Sequence, residues 1–251
     1  MSIQVLSPWL RIVSRPAASR RVVFFSHGGG AASFYRPLAR ALPDGIEGVL
    51  VQYPGREDRI NEPHHRTMEQ LADSLAEVVG VLFDRPVWFF GHSMGASVAH
   101  EVTRRLTARA GALPERLVVS GRPGPSRQSS DNLHLDDDLL WKDVCRLGGT
   151  DPELLAMPEV RAIALPAIRA DYRLVETYRP SCTTDLTVPI SCCYGEEDPE
   201  VSRVDAEAWR DVTTGDVDVH SFPGGHFYLR DESETALVEW LAAQIDERNL
   251  R

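Results

Sequence analysis

The chain has 251 residues, a formal net charge of −10 and a hydrophobic content of 43%, which indicate one globular unit with a large core. The acidic balance, with no local basic stripe, argues against nucleic acid as a partner. Without a signal-peptide pattern or a transmembrane-length apolar run, we expect a cytoplasmic monomer with no membrane partner. The chain has four cysteines, Cys145, Cys182, Cys192 and Cys193. Their spacing is not that of metal ligands, so we expect no metal. We interpret them as buried free thiols.

The first half of the sequence alternates apolar strands with helices. We predict strands over residues 21–25, 48–53, 86–90 and 116–120, and helices over residues 31–42, 67–82 and 96–110. Thr67 is the expected N-cap of the second helix, because apolar residues follow it at helical spacing. Such alternation is typical of βαβ units, so we predict an α/β fold with a mostly parallel central sheet flanked by helices.

The alternation stops between residues 121 and 187. This segment contains no convincing strand, but it has helical patterns over residues 136–147 and 159–178. Long insertions in compact domains usually have a function. We therefore predict that residues 1–251 form one domain and that residues 121–187 form a helical lid hinged at residues 121–125; the alternative is an insertion that only adds packing.

After residue 187 the alternation resumes. We predict a strand over residues 188–195, a helix over 205–211, a last strand over 217–222 and a final helix over 232–249. Cys192 and Cys193 are neighbours on the first of these strands, so their side chains should point to opposite faces of the sheet.

The sequence Gly-His-Ser-Met-Gly, residues 91–95, lies between a predicted strand and a predicted helix. This arrangement is typical of the nucleophile elbow of the α/β-hydrolase fold, in which a strained turn exposes a serine above the sheet. The flanking glycines allow close backbone approach. We therefore predict that Ser93 is the nucleophile, although an ordinary strand-to-helix turn would give the same five-residue pattern.

A serine nucleophile needs a base, and in this fold the acid and then the histidine follow the serine in the chain. His226 lies after the last predicted strand, so we predict that it is the base. Asp198 follows the preceding strand, and we favour it as the acid over Glu196 and Glu197, because its shorter side chain and the following proline suit a fixed turn. The other histidines are expected to point away from the elbow, to pack or to be solvated; His64 and His65 are placed in the last group.

Two backbone N–H groups should stabilise the oxyanion of the reaction. One is that of Met94, the residue after the nucleophile, and the other is that of Gly28, in a glycine-rich loop after the first predicted strand. A phosphate cradle is the alternative interpretation of that loop, but no Gly-Lys-Ser/Thr or Gly-x-Gly-x-x-Gly pattern supports it. We therefore expect no cofactor.

Four motifs together resemble type II thioesterases, the stand-alone editing enzymes of polyketide and non-ribosomal peptide synthesis, which are related to medium-chain fatty-acyl thioesterases. They are Ser-His-Gly-Gly-Gly at 26–30 followed by Phe34-Tyr35, Tyr-Pro-Gly-Arg-Glu-Asp-Arg at 53–59, the elbow, and Gly-His-Phe at 225–227. The resemblance runs from about residue 7 to residue 245, and the second motif is its most specific part. The family often has alanine where Gly28 stands, a change that keeps the N–H.

The resemblance implies a serine thioesterase that removes stalled or misprimed acyl groups from the phosphopantetheine arm of acyl or peptidyl carrier proteins through an acyl-enzyme. It also implies a lid. A carboxylesterase or lipase, or a medium-chain thioesterase acting on free small substrates, is a second hypothesis. A non-catalytic module that binds carrier proteins is a third, which the complete set of serine, acid and histidine argues against.

Overall fold

The computed structural model describes residues 3–230 and 233–247. Within them, eight strands form one sheet: β1 Ile3–Ser7, β2 Leu10–Val13, β3 Arg20–Phe25, β4 Ile46–Val51, β5 Val87–His92, β6 Arg116–Ser120, β7 Ile190–Gly195 and β8 Val217–Phe222. Their spatial order is β1-β2-β4-β3-β5-β6-β7-β8. β2 pairs antiparallel with β1 and with β4, and every other neighbouring pair is parallel. The predicted α/β class with a mostly parallel sheet is confirmed.

The α-helices of the described residues are α1 Arg36–Ala41, α2 Met68–Val78, α3 Met94–Ala108, α4 Asp137–Leu147, α5 Pro152–Leu155, α6 Pro158–Thr177, α7 Arg203–Glu207 and α8 Glu234–Glu247. Three predicted helices are partly 3₁₀-helical, at Ala32–Tyr35 before α1, Val79–Leu82 after α2 and Ala208–Val212 after α7. The Thr67 side chain accepts a hydrogen bond from the Gln70 amide, which confirms the predicted N-cap. The predicted ends of the last helix, residues 232 and 249, lie outside the described residues.

The sheet is buried on both faces, as parallel sheets require. On β3, Val23 and Phe25 pack into one core with α2, α3 and α7, while Val22 and Phe24 pack into another with α1 and α8. Cys192 and Cys193 likewise enter opposite cores, as predicted. The interpretation of all four cysteines as buried is wrong, because the residues at 145 and 182 are exposed.

The N-terminal strands β1 and β2 were not predicted from the sequence. They are short, with five and four residues, and they lie at the edge of the sheet. Val5 and Leu6 of β1 are exposed, so the apolar residues there do not mark a core. An edge hairpin of this kind lacks the long buried runs by which the parallel strands are recognised.

The segment between β6 and β7 is helical, without a strand of the central sheet. Its helices share a small core of their own, made by Leu140, Trp141, Leu155, Leu165 and Ile168. The expected hinge is held by contacts, since Gly124 N–H donates to Asp205 O at 2.8 Å and the indole of Trp209 donates to Arg122 O at 2.9 Å. These two hydrogen bonds join the predicted hinge, residues 121–125, to α7 and the 3₁₀ turn after it. Among the described residues, no helix combines the length and the apolar character needed to cross a membrane.

Candidate active site

Ser93 lies between β5 and α3 in a backbone conformation that is rare for a residue with a side chain. Its φ is 52° and its ψ is −120°. Two hydrogen bonds hold the turn, Ser93 N–H to Ser120 O at 2.8 Å and Ala96 N–H to Ser93 O at 3.0 Å. A Cβ at Gly91 would overlap Gly95 O, and one at Gly95 would overlap Phe25 O. The packing thus requires both glycines of the motif, and the turn has the strained geometry of a nucleophile elbow.

Asp198 and His226 meet at the carboxyl ends of β7 and β8. Nδ1 of His226 lies 2.9 Å from Oδ2 and 3.1 Å from Oδ1 of Asp198, and their side chains are 2% and 0% exposed. Because a carboxylate only accepts, Nδ1–H is the donor, and in the neutral ring Nε2 is then the proton acceptor. Glu196 and Glu197 are exposed, and Glu196 instead accepts a hydrogen bond from Ser221 at 3.0 Å.

Two further histidines lie beside His226, a feature that the sequence did not reveal. The ring of His92 is 4.9 Å from that of His226 and 6.1 Å from that of His27. His92 Nδ1 lies 2.9 Å from Ser120 Oγ, which lies 2.7 Å from the Tyr228 hydroxyl. Burial lowers the pKa of His92 well below its usual value and that of His27 to about 3. Both rings are therefore neutral at pH 7 and add no charge next to His226.

The expectation that His64 and His65 are solvated is wrong. Both are half-buried, and burial is the main cause that lowers their pKa values. The ring of His64 covers Gly55, where a Cβ would overlap it. His100 packs as predicted, with its ring 5.2 Å from that of Trp209.

The glycine-rich loop after β3 forms a tight turn beside the elbow. Gly30 N–H donates to His27 O at 3.0 Å, and Gly29 at the third position has a φ of 76°, as a type II turn requires. Gly29 N–H donates to Asp171 Oδ2 at 2.7 Å. Within the described part of the chain, the N–H groups of Gly28 and Met94 have no protein acceptor. A Cβ at Gly28 would make only ordinary contacts, 3.7 Å from Asp171 and 3.8 Å from Tyr172, so an alanine fits there.

A cavity of about 390 Å³ brings these groups together. Its walls include Ser93, His226, the loop at Gly28 and residues of α4 and α6. The sequence-predicted residues Ser93, Met94, Gly28 and His226 all line it, and Asp198 lies behind His226. The region between β6 and β7 therefore covers the elbow.

Arg122 is a cavity residue that the motif analysis missed. Its Nε donates to Ser97 Oγ at 3.2 Å and its Nη2 donates to Gln128 Oε1 at 2.9 Å. Burial lowers its pKa to about 10, which still leaves it charged at neutral pH. No sequence signal distinguishes it from the other arginines. No group of three or more His, Cys, Asp or Glu side chains in residues 3–230 and 233–247 has the geometry of a metal site.

Comparisons with known proteins show which family this chain resembles. The family model described as "Thioesterase domain" matches residues 20–245. The probable cadicidin biosynthesis thioesterase of Streptomyces griseus is 42% identical over 235 residues, which are 92% of this chain and 64% of that protein. Thioesterase PikA5 of Streptomyces venezuelae is 38% identical over 232 residues, 89% of this chain and 81% of that protein. The structure of the type II thioesterase BorB from the borrelidin biosynthetic cluster matches with a TM-score of 0.86 and 39% identity, covering 96% of this chain and 98% of that one.

The chain thus spans less than two thirds of the cadicidin relative and most of the other two proteins. The sheet order and the structural match define an α/β-hydrolase fold. The chain belongs to the thioesterase family of that fold and is a thioester hydrolase.

Proposed function

We propose that this thioesterase removes acyl groups from the phosphopantetheine arms of acyl or peptidyl carrier proteins in polyketide or non-ribosomal peptide synthesis. The observation that carries the proposal is that a strained Ser93 and His226, whose Nδ1 contacts the buried Asp198 carboxylate, line one cavity of a thioesterase fold. Relatives named for cadicidin biosynthesis and for the borrelidin biosynthetic cluster support the class of pathway.

The proposed reaction begins when His226 Nε2 takes the proton of the Ser93 hydroxyl as Ser93 Oγ attacks the thioester carbonyl. The N–H groups of Met94 and Gly28 stabilise the oxyanion, for which they have no competing protein acceptor among the described residues. The C–S bond breaks, and the leaving thiolate takes the proton from His226. A water molecule, deprotonated by His226, then hydrolyses the acyl ester of Ser93 and releases the acid.

Asp198 supports this cycle in two ways. Its contact with Nδ1 holds the imidazole in the tautomer whose Nε2 accepts a proton, and its negative charge stabilises the imidazolium that forms. The nearby rings of His27 and His92 are neutral, so the Asp198 carboxylate is the closest charge to His226. All of these groups belong to one chain, so the proposal requires no second subunit.

We also propose that the helical segment at residues 121–187 acts as a lid. It lines the cavity through α4 and α6 and has a small core of its own, while Leu174 near the end of α6 packs into a core of the sheet. A pantetheine arm is long and thin, so it can reach Ser93 beneath a cover that excludes bulk water. Carrier proteins are usually acidic, so docking on a chain of net charge −10 would depend on local arginines or apolar contacts rather than on net charge.

The test compares one acyl group on three leaving groups: a carrier protein, N-acetylcysteamine and a simple alcohol. We expect kcat/KM to be highest for the carrier-bound thioester, intermediate for the free thioester and lowest for the oxygen ester. A preference for the oxygen ester would support the carboxylesterase alternative. Binding of the acyl-carrier without turnover would support a non-catalytic module.

A further inference from the structure

A buried ion pair joins the second specific motif to the segment that covers the cavity. Arg56 Nη1 lies 2.6 Å from Asp171 Oδ2, and Nη2 lies 2.9 Å from Oδ1. The two residues are 115 positions apart in the sequence, and their side chains are 7% and 3% exposed. A two-point contact of this kind fixes orientation as well as distance.

The same two side chains grip the glycine-rich loop. Asp171 Oδ2 also accepts the Gly29 N–H, and Arg56 Nη1 also donates to Gly30 O at 3.0 Å. Gln52 adds a brace, because its Oε1 accepts the Ala32 N–H at 2.8 Å and its Nε2 donates to Arg56 O at 3.2 Å. Side chains rather than neighbouring strands therefore satisfy the Gly29 N–H, the Gly30 carbonyl and the Ala32 N–H.

The hydrogen bond from Gly29 to Asp171 restrains the central peptide of the turn, which could otherwise flip. Type I and type II turns differ by a flip of the central peptide, here the one between Gly28 and Gly29. Two glycines at the centre of the turn give little steric resistance to such a flip. The carboxylate of Asp171 selects the type II form, because it accepts the N–H of that peptide.

The contact also attaches α6 to the loop. Ile168 of α6 lies so close to Gly29 that a Cβ there would overlap its side chain, and Asp171 is on the same helix one turn later. A movement of α6 away from the sheet would therefore break the hydrogen bond to Gly29. The position of this helix and the conformation of the loop are physically linked.

We propose that Asp171, held by Arg56, is a positioning residue: its hydrogen bond to Gly29 N–H keeps the glycine-rich loop, and with it the Gly28 N–H proposed for the oxyanion, in place beside the elbow. This placement then depends on docked α6. The inference rests on the proposed function. Asp171 touches no reacting atom, and it acts by holding the loop at Gly29.

The test is a charge-free pair, because Asp171→Leu alone would leave the buried Arg56 charge uncompensated and risk unfolding. In the Arg56→Met/Asp171→Leu double variant, we expect kcat for an acyl-N-acetylcysteamine thioester to fall about 10- to 100-fold with KM nearly unchanged, less than the loss of an oxyanion donor outright. A trifluoromethyl ketone analogue, whose adduct carries the oxyanion, should bind more weakly by a similar factor, while the product acid should bind as it does to the wild type.

Arg56→Met/Asp171→Asn supplies the rescue, since the amide oxygen of the introduced asparagine keeps an acceptor for the Gly29 N–H; we expect it to recover most of kcat. Arg169→Gln is the matched control on α6, because it breaks only an exposed ion pair with Asp137, and it should keep the wild-type kcat. Wild-type kcat and inhibitor affinity in the Leu variant, or equal losses in the Leu and Asn variants, would overturn the inference. A wild-type enzyme that does not hydrolyse the thioester would instead overturn the proposed function.

Discussion

At the carboxyl edge of the sheet, neighbouring residues keep Ser93 in an unfavourable backbone conformation. Ser93 has a φ of 52°, a strain that costs on the order of 1–3 kcal/mol. The hydrogen bond to Ser120 O and the close packing around Gly91 and Gly95 offset that cost. The strain positions the hydroxyl at the cavity in advance of substrate.

The residue-scale prediction for the acid is that Asp198→Asn lowers kcat about 10⁴-fold, because an amide stabilises the wrong imidazole tautomer. Glu197→Gln is the matched control on the same turn, since its side chain is exposed, and it should keep the wild-type rate. Steady-state hydrolysis of an acyl thioester measures both. The opposite ranking, with a large loss in Glu197→Gln and none in Asp198→Asn, would show that the acid is assigned wrongly.

A second residue-scale prediction concerns pH. Burial lowers the pKa of His100 to about 4 in the folded state, whereas an unfolded histidine titrates near 6.5. Between about pH 6.5 and pH 4, His100 therefore binds a proton in the unfolded chain but not in the folded chain. The free energy of unfolding should fall by up to about 1.4 kcal/mol per pH unit from this one group.

His100→Leu removes that proton uptake, and His100 has no role in the proposed reaction. Denaturant unfolding is measured at several pH values between about 7 and 4.5, which span the titration of an unfolded histidine. The free energy of unfolding should fall less steeply with falling pH in the variant, by the slope that corresponds to about one bound proton. His27 and His92 remain in the variant and keep their part of the acid sensitivity. Parallel stability curves for the two proteins would mean that His100 does not stay neutral when buried.

At the scale of elements, the cover over the cavity has its own small core. Trp141 of α4 packs there with Leu155 and Ile168 and makes no contribution to the two sheet cores. Trp141→Ala should cost the cover about 3–5 kcal/mol through the cavity it leaves. Local opening of α4 and α5 should increase, while the sheet keeps its stability.

Hydrogen exchange followed by mass spectrometry measures that difference directly. In Trp141→Ala, peptides from residues 137–155 should exchange faster than in the wild type, and peptides from β3, β5 and β6 should exchange at the wild-type rate. α6 should be affected less than α4, because Asp171 ties it to Arg56. Uniformly faster exchange across the sheet would show that the cover is an integral part of the main core.

The sequence predicts best the elements that are buried on both faces. β5 and β6 are buried on both faces and form continuous apolar runs. The edge strand β1 has exposed apolar residues and carries no such signal. The elbow is visible because its geometry needs local glycines, whereas the Arg56–Asp171 contact joins residues 115 positions apart and leaves no local pattern. The prediction for His64 fails because its burial comes from the fold around Gly55.

At the scale of the whole molecule, the topology gathers chemistry that is dispersed along the chain. Gly28 follows β3, Ser93 follows β5, and Asp198 and His226 follow β7 and β8. Parallel strands end at one edge of a sheet, so these residues lie at the same edge although they are spread over residues 28–226. The helical segment after β6 then covers that edge and forms part of the cavity wall.

The most direct test of this account follows the mass of an acylated carrier protein during incubation with wild-type enzyme and with Ser93→Ala. We expect the wild type to convert acyl-carrier to the free-thiol carrier, and Ser93→Ala, folded as judged by circular dichroism, to be slower by a factor on the order of 10⁶ in kcat. Deacylation by Ser93→Ala at a rate near the wild-type rate would contradict the assignment of Ser93. A wild-type enzyme that leaves the acyl-carrier intact while it cleaves oxygen esters would contradict the proposed substrate.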